Sequence, residues 1–525
     1  MANKQIRRTS KPPFSQIEAP QIPRSSFDLS RGLKTTFDAG LLIPIFYQET
    51  LPGDTIKVDM TAFIRLATPL KPIMDNLYFQ TYWFSVENRL VWENWKKFCG
   101  EQASPGDSID YVVPTFSSLV PNTGSIYDYF GLPIGTVAFG GASALPFRAY
   151  AKIFDEWFRN QNLQAGTQPD IDDGPDAQAD YELFRVNKKP DYFTSCLPFP
   201  QKGTAVSFLS GQAPVSGIGV IDTAGVNPTN RNVYETTTGS AIYEDTHAFA
   251  SAGIMYADAD PATDYPLIFA ELGAGTGDTI NTLRQAFQIQ KLLERDARGG
   301  TRYPEVILSH FKVVSPDGRQ QRSEFLGSGS TPIQITPVAQ TGETSTTPQG
   351  NLAAMGTAAP TGHGFTKSFT EHGMVIGLAT VRADITYQQG TERHWRRKTR
   401  YDFYWPALSH IGEQSVLNGE IYSTSSIADD DVFGYQERYA EYRHAKSQIT
   451  GLFRSIAASS LDFWHLAQEF GSTPSLNEAF IQEDPPVDRV IAVPAEPQFI
   501  MDAWFKVKAA RPIPMYGTPG LIDHF

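Results

Sequence analysis

The residues best equipped for chemistry lie in one run near position 400. Arg393, His394, Trp395, Arg396, Arg397, Lys398 and Arg400 are followed at once by Tyr401, Phe403, Tyr404 and Trp405. Cations interleaved with rings suit a single-stranded nucleic acid, the cations on phosphates and the rings on bases. Arg396, Arg397, Lys398 and Arg400, with Trp395 as a stacking surface, are therefore candidate nucleic-acid contacts. Packing within the subunit or against a neighbour is the preferred reading of this run, because so many large aromatics are costly to leave in water. A second group, Lys4, Arg7, Arg8 and Lys11, stands on a polar, Pro-containing stretch that reads as an extended arm over 1–35. Contact with phosphates and a solvated tail weigh about equally there.

Other chemistry is thin. A strand over 266–272, the glycines Gly273, Gly275 and Gly277, and a helix over 279–298 capped by Asp278 are similar to the opening of S-adenosylmethionine-dependent methyltransferases. Glycines there let the backbone approach the cofactor. No alternating βαβ pattern surrounds them, and Asp296 falls inside the helix rather than at the end of a second strand. The methyltransferase stands only as the alternative reading. Residues 166–182 approximate a calcium loop, but Gly174 and Glu182 each miss their required position by one, so an acidic surface turn is expected. His363, Glu371 and His372 lack a third ligand at metal spacing. There is no G-x-S-x-G elbow, Walker A or H-E-x-x-H. No catalytic residue, cofactor or metal is expected. Cys99 and Cys196 imply no disulfide framework, and Cys99 reads as packed rather than nucleophilic.

The bulk properties bound the answer. A chain of 525 residues, 41% hydrophobic and 12% aromatic, supports a large core with surface left for several interfaces. The net charge of −13 argues against a dedicated nucleic-acid-binding domain. Its distribution says more. Up to Lys34 there are seven basic and two acidic residues, a net +5, which leaves −18 for the remainder. A basic arm on an acidic body suits a protein that meets nucleic acid with one face. No apolar run reaches membrane-spanning length, and MANKQIRRTSKPP lacks the apolar core of a secretory leader, so a soluble chain is expected.

The elements that must carry these residues read as mostly strand. Spacing predicts strands over 41–50, 55–66 and 77–86, the last apolar on both faces and so covered on both. Aromatic stripes predict helices over 88–99 and 145–163. Residues 204–275 are rich in Gly, Ser, Thr and Ala and read as a long insertion. Residues 328–364 read as a low-charge surface excursion. A strand over 374–387 leads into the cationic run, and 499–507 is the last strand.

Several segments then resemble one family as a set. They include SSFDLSRGLKTTFDAGLLIP (25–44), LPGDTIKV (51–58), ENRLVWENWKKFCGE (87–101), LPFRAYAKIFDEWFRNQNLQ (145–164) and DYFTSCLPFPQKG (191–203). The second half adds RQAFQIQKLLERDARGGTRY (284–303), TPQGNLAA (347–354), VRADITYQQG (381–390), TRYDFYWPALSHIGEQ (399–414), VFGYQERYAEYR (432–443) and the terminal PGLIDHF. Together they resemble the major capsid proteins of gokushoviruses, small single-stranded-DNA bacteriophages of the Microviridae.

The resemblance implies a mainly β fold, an eight-stranded antiparallel jelly roll of the viral capsid type with long loop and helix insertions. It implies a structural role in a virion, not an enzyme: a T=1 icosahedral shell enclosing circular single-stranded DNA. On this reading 1–35 is the arm, 36–203 and 276–525 form the two parts of the jelly-roll domain, and 204–275 projects as the variable insertion that meets the host receptor. Sixty arms of this charge would bring roughly 300 positive charges, far fewer than the phosphates of a genome of several thousand nucleotides. A separate small basic DNA-packaging protein is therefore expected, along with an assembly scaffold, in the host cytoplasm and without membrane insertion.

Overall fold

The computed structural model describes residues 24–135, 140–167, 170–203, 280–299, 303–312 and 320–516, with four short strand fragments between 215 and 270. Two compact units emerge, one from 1–200 with 316–525 and one from 201–315.

The larger unit contains eight principal strands: β1 (Arg31–Phe37), β2 (Ile43–Thr50), β3 (Thr55–Leu66), β4 (Leu77–Glu87), β5 (Glu324–Ala339), β6 (Thr361–Ser368), β7 (Gly373–Ala383) and β8 (Phe499–Arg511). One sheet runs β1–β8–β3–β6 and the other β2–β7–β4–β5, with every ladder antiparallel. This is the strand order of a jelly roll, two Greek keys folded face to face. Beyond Ile333, β5 leaves β4 and pairs through Gln334–Ala339 with the strand Leu352–Ala358, whose end meets β3. The expected fold class is what is found.

Alternation builds the core. β8 buries Phe499, Met501, Ala503, Phe505, Val507 and Ala509 and turns the residues between them outward. Facing side chains from both sheets interlock, with Trp83 edge-on to Phe505 at 6.2 Å and Phe37 tilted against Phe79 at 6.5 Å. Gly364 is required where β6 crosses β3, since a Cβ there would fall 2.0 Å from the Val58 carbonyl oxygen.

The outer face of the β2–β7–β4–β5 sheet is covered by the insertion that follows β4. Helix α1 (Leu145–Ile153) brings Phe147 and Tyr150 into a cluster with Phe84, Val86, Ile376 and Leu378. β4 is thus buried on both sides, as its sequence requires. A third cluster, including Tyr192, Phe193, Val416, Ile421, Phe433 and Phe480, supports the lobe around 390–440.

Four expectations are corrected. The helix over 88–99 is broken into short turns, because Trp92 Nε1 and Asn94 Nδ2 donate to Asp173 and the Glu93 N–H donates to the Ile171 carbonyl. The helix from Leu145 is α-helical only to Ile153 and widens into a π turn through Phe158. The strand from 374 ends at Ala383, where the Asp384 N–H turns to the Asn76 carbonyl. The excursion over 328–364 is instead most of β5, the strand Leu352–Ala358 and the start of β6.

The smaller unit pairs Ile218–Ile221 with Asn232–Glu235 and carries helices α2 (Ile280–Arg298) and α3 (Tyr303–Phe311). His310 Nε2 lies 2.6 Å from Asp296 Oδ1 and ties α3 to α2.

Candidate assembly and nucleic-acid surfaces

The cationic run leaves the jelly roll after β7. Gly390 lets it pass close to its neighbour, since a Cβ there would lie 2.0 Å from the Glu420 carbonyl oxygen. Three arginines of the run then turn inward to carboxylates supplied by later chain. Arg393 donates to the Ser415 carbonyl at 2.6 Å and to Glu420 Oε1 at 2.9 Å. Glu420 is buried and also accepts from the Tyr192 hydroxyl at 2.9 Å. Burial works against the Arg393 charge, yet Glu420, Tyr192 and Glu441 together outweigh it and hold the guanidinium above its ordinary value.

Arg396 donates to Asp430 Oδ1 at 2.6 Å and to the Asp429 carbonyl at 3.1 Å. Asp429 is itself gripped by the Thr424 and Ser425 N–H groups and by the Ser423 and Thr424 hydroxyls. Burial would raise its carboxyl, but these hydrogen bonds prevail and lower it to about 2. Arg397 pairs with Glu441 at 3.4 Å and lies over the rings of Tyr442 and Phe403 at 4.5 and 5.2 Å.

The rest of the run faces water. Trp395 is 76% exposed, and Tyr401, Phe403, Tyr404, Trp405 and Ile411 are each exposed by half or more. Lys398 is exposed, its N–H held by Asp402. Arg400 lies over the Tyr401 ring at 4.7 Å and donates to its hydroxyl at 2.7 Å. The Trp405 indole donates to the Arg400 carbonyl at 2.8 Å, and the Tyr439 hydroxyl to the Phe403 carbonyl at 3.0 Å. The backbone is therefore pinned while the rings point outward. Exposed rings so close together in the chain make this stretch the candidate contact surface. Of the cations singled out from sequence, Arg396 and Arg397 are engaged in ion pairs, and the Lys398 and Arg400 side chains form none among the described residues.

The remaining candidates fall elsewhere. Lys4, Arg7, Arg8 and Lys11 lie outside the described residues, as do Gly273, Gly275 and Gly277. His363 sits between the Thr81 and Thr331 hydroxyls, at 3.1 Å from each. Glu371 pairs with Arg89 at 2.7 Å, and His372 packs edge-on to Trp95. In the acidic turn, Asp172 is exposed as expected, but Asp176 is buried against Arg148, which corrects the reading of that stretch as wholly surface. Cys99 is exposed rather than packed, and Cys196 is buried. Among the described residues no three His, Cys, Asp or Glu side chains come together as a metal would need. No described helix is long and apolar enough to cross a membrane.

The jelly roll, its outer sheet covered by a long helical insertion, is the fold class of viral capsid proteins. The chain belongs to the phage capsid protein (F protein) family, whose model matches residues 15–521. It is 46% identical to capsid protein VP1 of Bdellovibrio phage phiMH2K over 529 residues, covering 98% of each chain. It is 41% identical to capsid protein VP1 of Chlamydia phage 1 and 37% identical to that of Spiroplasma virus 4, each over 97% of both chains. The resemblance to gokushovirus capsid proteins holds over essentially the whole length, and the chain is a structural component of a virion. That membership, with a sheet that is antiparallel throughout, displaces the methyltransferase reading of ELGAGTG.

Proposed function

We propose that this chain is the major subunit of a T=1 icosahedral shell that assembles in the host cytoplasm around circular single-stranded DNA. The observation that carries it is the full-length match to capsid proteins by a chain folded as a complete jelly roll. The arm cations Lys4, Arg7, Arg8 and Lys11 reach the DNA phosphates. In the run near 400, Trp395, Lys398 and Arg400 are assigned to nucleic acid, since Arg396 and Arg397 are neutralised within the subunit. The rings from Tyr401 to Trp405, with Ile411, are assigned to contact between subunits. The insertion 204–275 is assigned to the host receptor and falls within the compact 201–315 unit. A small basic packaging protein and an assembly scaffold complete the partners.

Negative-stain electron microscopy of the purified protein, in low and high salt and with circular single-stranded DNA added, tests this. Uniform small shells, or open oligomers that close on adding DNA, are expected. A monodisperse monomer under every condition, with a scaffold protein from a related phage present, overturns it.

A further inference from the structure

The outward face of the β1–β8–β3–β6 sheet has no cover among the described residues. On β8, Trp504, Lys506 and Lys508 alternate outward, about 7 Å apart along the strand. On β3 the outward residues include Lys57, Phe63 and Arg65. The register sets Lys57 opposite Lys508, Thr61 opposite Trp504 and Arg65 opposite Ile500, so the rings lie among the cations on one surface. Trp504 and Phe63 are 54% and 53% exposed.

Two features point to a ligand. First, the Trp504 indole lies over Gly32 of β1, where a Cβ would meet ring carbon Cε3 at 3.4 Å. The indole thus rests beside Gly32 while more than half of the residue stays open to solvent, where a base can stack. Second, the charge runs against the rest of the molecule. The face carries Lys34, Lys57, Arg65, Lys506 and Lys508 against Asp28, Asp59 and Asp502, within a chain of net charge −13. Lys34 pairs with Asp502 at 3.4 Å, while Lys57, Arg65, Lys506 and Lys508 form no ion pair among the described residues.

The basic N-terminal segment joins this same sheet. Ser25–Asp28 pairs along the far end of β8, and Arg24 donates to Thr55 Oγ1 at 2.8 Å, two residues from Lys57. A polyanion is attracted to the basic face and to the basic N-terminal sequence alike.

We propose that this sheet face is a platform for single-stranded DNA, with Trp504 and Phe63 stacking on bases and Lys57, Lys506, Lys508 and Arg65 holding phosphates. It rests on the reading that the shell encloses single-stranded DNA, and it names a binding surface separate from the arm and from the run near 400.

The test is fluorescence anisotropy of a short labelled oligothymidylate with the unassembled full-length protein across a salt series. The wild type is compared with Trp504→Ala and with Lys57→Ala/Lys506→Ala/Lys508→Ala, each also on an Arg7→Glu/Arg8→Glu background. Trp504→Ala is expected to weaken binding roughly 5- to 150-fold. The triple variant is expected to lower the salt slope by about 2. Both effects should persist on the arm background. Unchanged affinity and slope in the sheet variants, with loss only on arm reversal, overturns the platform and leaves DNA packaging standing. Failure of the wild type to bind at all overturns both. Unchanged binding with altered self-association in sedimentation velocity makes the face a contact between subunits and likewise overturns the proposal. Lys57, Trp504, Lys506 and Lys508 are solvent-exposed, and circular dichroism checks the folding of every variant.

Discussion

Arg148 Nε donates to Asp176 Oδ2 at 2.9 Å, with both side chains sealed from solvent beneath the helical insertion. The Tyr181 hydroxyl donates to the same carboxylate, and Arg148 also bonds the Val91 and Asp172 carbonyls. The pair thus fastens α1 to the acidic loop and to the turns after β4. Removing one member leaves a buried charge without its partner, at a cost of about 3–5 kcal/mol. Arg148→Met should lower the denaturant midpoint accordingly, while Arg148→Met/Asp176→Leu should recover much of the loss, both read by urea unfolding of the unassembled subunit.

The contact between Gly329 and His363 makes a second prediction. A Cβ at position 329 would fall 2.3 Å from the His363 ring, which is held by two hydroxyls and stacked parallel to Phe79 at 6.4 Å. The ring cannot retreat without losing those partners. Gly329→Ala should therefore destabilise the subunit by about 1–3 kcal/mol, as overpacking does. In the His363→Ala background the same change should cost much less. Additive effects in that cycle, measured by thermal unfolding, would refute the steric account.

Lys188 supplies a pH dependence. Its ammonium donates to the Phe480 carbonyl at 2.5 Å and to Gln468 Oε1 at 2.9 Å. Burial lowers its pKa from 10.5 to about 8, against the opposing pull of Glu483, Asp191 and Asp484. The unfolded chain therefore binds more protons than the native one between about pH 8 and 10.5, and this group's contribution to stability rises with pH across that window. Relative to Lys188→Met, the wild type should gain on the order of 2–3 kcal/mol between pH 7 and 10.5. Urea midpoints of both proteins at pH 7, 8.5 and 10 check the sign. A constant difference would show that Lys188 keeps an ordinary pKa.

Much of this architecture was legible wherever alternation was clean. β3 and β8 follow from the period-two pattern of 55–66 and 499–507, because one face of each meets a core that accepts only apolar side chains. β4 follows from 77–86 being apolar on both faces, which the second sheet and the helical insertion cover. β5 and β6 were not legible. Their glycines, threonines and serines read as loop, yet Gly329 and Gly364 are there because a ring and a backbone pass too close for any side chain. The helix over 88–99 failed for a different reason. Its aromatic stripe is real, but Asp173, some 80 residues away, claims Trp92 and Asn94 and unwinds it. In the run near 400 the residue types were plain, but which cations are free was not. The carboxylates that neutralise Arg393, Arg396 and Arg397 arrive 27 to 44 residues later.

The pinned aromatic surface yields the last prediction. Trp405 and Ile411 are 50% and 60% exposed in the subunit, so apart from the Trp405 indole bond to the Arg400 carbonyl, replacing them removes little that the folded monomer uses. Substitutions at such surface positions usually shift stability within about ±0.5 kcal/mol. If these side chains are anchors between subunits, each truncation instead costs about 2 kcal/mol or more of association energy. Trp405→Ala should then raise the protein concentration needed for assembly by roughly 30-fold. Ile411→Asp, which forces a carboxylate into a dry contact, should block shells outright. Light scattering during assembly and thermal unfolding of the subunit separate the two effects. Normal assembly by both variants would free this surface for a different partner, and a subunit unfolded by either would trace the defect to folding instead.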